Sequence, residues 1–239
     1  MADKYELTDK TKELWGHTLY QIKALKDFGR VKKGDLGGWI EKYNNLSQAG
    51  TSWVYNHANV FDNAKVIDNA MVGENARVYG HAQVSDYASV YGNADVSDYA
   101  SVYGNARIYN YALIYGNAHV YDHAKIYGHA SVYGDARIYD DVVVCDSSDV
   151  FGNAKVFDHA RVYGTTSIYG NAEVYGDSKV QDEIDIREND EIKDNNSYLI
   201  FNNNWSSGQK TVYVLSNHRW HTGGFDGTGE ELIKKAYKD

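Results

Sequence analysis

The 239-residue chain contains no proline. Proline offers no N–H to a ladder, so its absence suits a long sheet in which every backbone donor is used. Cys145 is the single cysteine, which excludes an internal disulfide framework and fits a reducing compartment. No apolar run approaches the ~18 residues that a membrane span needs. Met1-Ala2-Asp3-Lys4 opens without the apolar stretch of a secretory leader. We therefore expect a cytoplasmic protein with no membrane contact.

What the chain does have is a period. From Val54 to Asp185 it repeats every six residues without insertion or deletion, as in Val90-Tyr91-Gly92-Asn93-Ala94-Asp95. Position 1 is Val or Ile in all 22 copies, and position 5 is Ala in 17. These two positions lie two residues apart across successive copies, so on a strand they share a side. That side is a narrow interior, because nothing large occupies it. Position 3 is Gly, Asp or Asn in 21 of 22 copies, residues that accept turn geometry with positive φ. Each copy is thus a short strand and a corner, and a fixed short period of this kind specifies a solenoid.

The run of units resembles the hexapeptide-repeat left-handed β-helix, in which three hexads make one triangular coil. That likeness implies about 7 coils and a rod roughly 35 Å long at the ~4.8 Å spacing of strands. We divide the chain into an N-terminal cap (1–53), the hexapeptide-repeat β-helix (54–185) and a small C-terminal α+β unit (186–239). In the cap, Tyr5–Thr8 and Leu19–Leu25 read as strands, and Gly34–Ile40 as a tight glycine turn. In the C-terminal unit, Ser197–Phe201 and Lys210–Leu215 read as strands. Thr228-Gly229-Glu230-Glu231 reads as a capping box opening a helix with an apolar face of Leu232, Ile233, Ala236 and Tyr237.

Gly34-Asp35-Leu36-Gly37-Gly38-Trp39-Ile40-Glu41, then Asn45-Leu46-Ser47-Gln48 and Trp53-Val54-Tyr55, is similar to the opening segment of YdcK-type proteins. These occur in bacteria and very often in phages and prophages. Gly224-Phe225-Asp226-Gly227-Thr228-Gly229-Glu230-Glu231-Leu232 is similar to the closing domain of the phage members. The family carries the label of acyltransferase by fold analogy, without an established reaction. The resemblance implies a phage or prophage accessory protein in the host cytosol. Its partner would be a host or phage protein, for instance a defence component, and it would work without a cofactor.

The acyltransferase alternative needs acetyl-CoA or a related donor, a general-base histidine and a trimer. Five of the nine histidines, His57, His81, His123, His129 and His159, sit at position 4, where Asn is the common alternative, so they read as turn residues. No loop leaves the repeat. We expect no catalytic residue.

Three features remain as binding candidates. Position 2 is Tyr in 13 copies and Phe in three, and copies 18 apart should stack. One stack is Tyr103, Tyr121, Tyr139, Phe157 and Tyr175, with similar rows on the other two faces. It serves either as a platform for sugars or a partner protein, as in a carbohydrate-binding or virion-surface rod, or as cross-strand support. All three faces look alike in this respect, which favours support. So much aromatic surface also invites a homo-oligomer, dimer or trimer. Second, Asp122, His123, Asp140, Asp141, Asp158, His159 and Asp177 should line one edge, as turn formers or as a seat for a cation or a basic partner. We expect no metal there. Third, Trp205, His218, Trp220 and His221 in the C-terminal unit form either a small aromatic pocket or that unit's core.

The net charge of −9 is uneven: +2 over residues 1–53, −10 over 54–185 and −1 over 186–239. An acidic rod repels phosphate, so we expect no nucleic acid partner. Mimicry of DNA needs a dense single-sign surface, yet basic residues recur at position 6 of one face, at Arg107, Lys125, Arg161 and Lys179. Val143, Leu113 and Met71 put apolar side chains where polar ones are usual, marking either a contact patch or a degenerate repeat.

Overall fold

The computed structural model describes residues 3–181, 183–202, 210–222 and 225–237. In the hexads from Val54 to Lys179, position 6 and the following position 1 form a two-residue strand, and positions 3 and 4 form the corner. Side chains at positions 1 and 5 meet inside, as Val102 and Ala106 do with no exposed surface. Position 3 has positive φ at every copy from Asn56 (52°) to Gly176 (65°). That requirement accounts for its Gly, Asp and Asn content. Aspartate adds a tie along the rod. Asp98 accepts the Gly116 N–H at 3.0 Å, and Asp158 accepts that of Gly176 at 3.0 Å.

Strands 18 residues apart pair in parallel: Ser101 lies beside His119 and Val102 beside Val120. Three faces result. The first has eight strands, starting at Trp53–Val54. The second starts at Asn59–Val60 and belongs to an 11-stranded sheet that includes the N-terminal hairpin. The third has eight strands, starting at Lys65–Val66. The chain is an all-β parallel β-helix with a Val/Ile/Ala column at its centre. Each buried Val or Ile contributes ~1.5–3 kcal/mol, and each coil depends on its neighbours for that burial.

The rod is longer than the unbroken period suggests. Asp185–Ile186 and Glu191–Ile192 add strands at the C-terminal end. At the other end Ile40 pairs with Val60, and Leu46 bridges to Val66. Leu46 and Val54 are eight residues apart instead of six, and this two-residue excess hides the first coil from a search for period six.

The cap begins with an antiparallel hairpin, Tyr5–Leu14 and His17–Ala24. It turns at Trp15 (φ 51°) and Gly16 (φ 86°), the paired positive φ values of a two-residue hairpin loop. Gly34–Ile40 is not one glycine turn. Gly34 turns at φ +96°, but Leu36–Ile40 is a strand. Gly37 serves close packing there, since a Cβ would stand 2.6 Å from Ile22 and 2.7 Å from the Val54 carbonyl oxygen. Lys4 is fully buried and holds the loop that contains the excess residues. Its Nζ donates to the Ser52 carbonyl at 2.9 Å and the Ala49 carbonyl at 3.2 Å. Burial first, and then the charge of Lys26, lowers its pKa to about 8.

The C-terminal unit is a four-stranded antiparallel sheet, Tyr198–Asn202, Lys210–Val214, Arg219–Thr222 and Phe225–Thr228. The helix Gly229–Ala236 follows, with the expected capping box between Thr228 and Glu231. Its expected apolar face is not a buried one. Ile233 is 58% exposed and Tyr237 89%. The helix packs on the last two strands of the small sheet.

Candidate functional site

The aromatic rows stand where the period places them. On the third face, ring centroids step by 4.8 Å from Tyr103 to Tyr121, 5.0 Å to Tyr139, 5.2 Å to Phe157 and 4.9 Å to Tyr175. The rings are within 6° of parallel, so within the row each face lies against a neighbour. A sugar ring stacks on an open aromatic face, and inside this row only edges and hydroxyls remain free. Burial, followed by the charges of Tyr103 and Tyr139, pushes the Tyr121 phenol up to about 12. The second face carries Tyr115, Tyr133, Phe151 and Tyr169 in the same way, capped by the Arg187 guanidinium 5.9 Å from the Tyr169 ring. On the first face Tyr109 stacks on Tyr127, and Cys145 then interrupts the row.

The edge between the third and first faces holds the histidine and aspartate candidates. His123, His159, Asp141 and Asp177 are exposed, and Asp122, Asp140 and Asp158 half-buried. Among the described residues, none of these histidines approaches a carboxylate within 4.0 Å. Asp140 accepts the Asp158 N–H at 3.1 Å, so its carboxylate points along the rod as turn chemistry requires. At the equivalent position on other edges, histidine joins a stack: His81 lies 4.8 Å from Tyr99 and His129 4.9 Å from Tyr111.

The tightest cluster of titratable groups is in the cap, and sequence reading missed it. His17 sits at the start of the second hairpin strand. Its Nδ1 is 3.1 Å from Glu41 Oε1, and its Nε2 is 3.4 Å from Asp62 Oδ1. Among the described residues only this trio brings three histidine, cysteine or carboxylate ligand atoms within 4.8 Å of one another. It clamps the hairpin to the first coils. Both ring nitrogens face carboxylates, Glu41 also accepts the Asp62 N–H at 2.7 Å, and Asp62 accepts the Gly80 N–H at 3.2 Å. The hairpin tip completes the contact. Trp15 meets Phe61 and Tyr79 edge-on, and Arg77 lies 4.7 Å over its ring.

The Glu41 hydrogen bond raises the His17 pKa, against desolvation and with help from the Asp62 charge. A raised histidine pKa stabilises the docked tip fully below the free value of about 6.5 and loses that contribution as pH rises through the bound value. Trp15 fluorescence should therefore report release of the tip on the alkaline side of 6.5. Glu41→Gln should move that transition to lower pH. A Trp15 signal flat from pH 5 to 9 would count against the clamp.

In the C-terminal unit, His221 is a core residue. Its Nε2 lies 2.9 Å from Asp190 Oδ2, and both side chains are buried. Asp190 also accepts from Asn217 at 2.6 Å and from the Arg187 N–H at 2.9 Å. Nδ1 of His221 is 3.3 Å from Asp226 but makes no hydrogen bond. His218 meets the Tyr213 hydroxyl at 2.8 Å, and Trp220 lies 4.7 Å from the Tyr213 ring on the opposite side of the sheet from His221. His218 and Trp220 therefore meet around Tyr213, while His221 lies apart from them, because Trp220 and His221 are neighbours along a strand and point to opposite faces. Trp205 lies outside the described residues.

No protein-family model matches the chain. No curated protein matches it either.

Proposed function

We propose that the chain is a non-catalytic binding rod that engages a protein partner through its β-helix surface or C-terminal unit. One observation carries this reading: aromatic side chains stay outside the rod while its most buried groups suited to chemistry are engaged in its own architecture. The corner aspartates hold the next coil's N–H groups, and His221 is buried against Asp190. By contrast Tyr87, Tyr99 and Tyr111 are 64%, 62% and 53% exposed. The likeness to YdcK-type phage proteins supports a host or phage protein as partner and the host cytosol as the place.

Native mass spectrometry with and without acetyl-CoA tests the reading. The expected spectrum shows no added mass at any stoichiometry. A trimer that gains CoA would overturn the proposal in favour of the acyltransferase alternative.

A further inference from the structure

The three faces are alike in their aromatic rows but not in their strand rows. All eight basic residues between 54 and 185 occupy position 6, and four of them, Arg107, Lys125, Arg161 and Lys179, stand on the first face. The outward row of that face reads Trp53, Met71, Ser89, Arg107, Lys125, Val143, Arg161, Lys179, with no carboxylate. On the second face Arg77 is paired with Asp95, and on the third Lys155 with Glu173, while Lys65 and Arg137 of the third face are exposed without a salt bridge to a described residue but share their row with Glu173 and Glu191. The four first-face cations are exposed, and none makes a salt bridge to a described residue. Two of the three apolar outliers, Met71 and Val143, lie in the same row, and the third, Leu113, lies on the second face. An open groove of about 450 Å³ runs beside it, lined by Met71, Ser89, Tyr91, Arg107, Tyr109 and Lys125.

We propose that the first face is the docking surface for an extended acidic segment of a protein partner, lying along the rod axis. This rests on the binding-rod reading above and names the partner's chemistry. The register is specific. Arg107 and Lys125 occupy adjacent coils, Val143 the next, and Arg161 and Lys179 the two after that. At ~4.8 Å per coil, the centres of the two cation pairs are ~14 Å apart with Val143 midway. An extended chain places side chains of one side every ~6.6 Å, so residues i and i+4 are ~13 Å apart. Carboxylates at i and i+4 therefore reach the two pairs while an apolar residue at i+2 rests on Val143. A long phosphate chain fits worse: it carries a charge at every unit and no apolar side chain to rest on Val143, so it brings more charge beside the edge that carries Asp122, Asp140, Asp141, Asp158 and Asp177 than a peptide with carboxylates only at i and i+4 does.

The probe is a fluorescein-labelled nonapeptide with glutamates at i and i+4, leucine at i+2 and threonine elsewhere, titrated with the full chain. Binding should weaken with salt. It should fall about tenfold or more when Arg107, Lys125, Arg161 and Lys179 are all changed to Glu, since reversal turns four attractions into repulsions. A peptide with lysines for glutamates should then bind the reversed rod. Circular dichroism keeps misfolding of that rod distinct from loss of the surface, and the milder Arg107→Gln plus Arg161→Gln pair should give an intermediate loss. The proposal is overturned if the acidic peptide does not bind, if reversal leaves its binding unchanged, or if single-stranded DNA or heparin binds better. It is equally overturned if reversal dissociates an oligomer, which would make a second copy the occupant. Failure of the peptide without CoA uptake removes this face alone. Uptake of CoA removes the parent reading whatever the peptide does.

Discussion

Ala118→Asp should unfold the central coils at temperatures where the wild-type chain is intact. Ala118 is fully buried in a column with Ala100 and Ala136 one coil away on either side. That column offers methyl groups and no donor. A carboxylate left there without partners costs about 3–5 kcal/mol. In a solenoid the loss is not confined to one coil, because each coil is supported only by its neighbours. Thermal melting by circular dichroism should show a large drop in midpoint or two separate transitions. Ala118→Ser is the control and should be mild. Ser148 already occupies the same position, where its hydroxyl donates to the Cys145 carbonyl at 2.6 Å. A melting curve for Ala118→Asp close to that of Ala118→Ser would refute the dry-column account.

His221→Ala should detach the C-terminal sheet from the rod. Asp190 stands at the end of the same alanine column, 18 residues beyond Ala172. It is tolerated where Ala118→Asp is not, because His221, Asn217 and the Arg187 N–H all reach it. Removing the imidazole leaves a buried carboxylate short of its one side-chain partner from the sheet's inner face, at a cost of about 1.5–3 kcal/mol, since Asn217 and the Arg187 N–H still reach it. Limited proteolysis should then cut between residues 193 and 197 while the hexapeptide coils remain resistant. Asp190→Ala combined with His221→Ala should lose less stability than His221→Ala alone, because the double change extends the alanine column and removes the stranded charge. If the double variant is the less stable of the two, the pair is not the tie we describe.

The two variants also mark where sequence reading succeeded and failed. Ala118 was legible as interior because alternation along a strand is local, and an unbroken period of six carries it from coil to coil. The same logic placed Tyr103 over Tyr121 and gave position 3 its positive φ. Asp190 was not legible. Beyond Asp185 the corner consensus decays into Arg187-Glu188-Asn189, and an aspartate in such a stretch reads as solvent-facing until its partners are known. Those partners come from a sheet 27 to 31 residues further along. The His17 clamp was hidden for the same reason. Its groups are separated by 24 and 21 residues, and the chain reverses direction between them.

The basic row is an intermediate case. The period alone put Arg107, Lys125, Arg161 and Lys179 on one side. Whether each was neutralised by a carboxylate depended on side-chain positions that no spacing records.

The sequence by itself determined the parallel coil, its inward and outward sides and its aromatic rows, because all of these follow from a short-range pattern copied in register. The tertiary structure alone decided how the ends are closed, where Asp190 finds its donors, how His17 bridges two carboxylates and that no first-face cation is paired with a carboxylate of a described residue. Those features depend on contacts between segments that share no period, so only the folded chain brings their residues together.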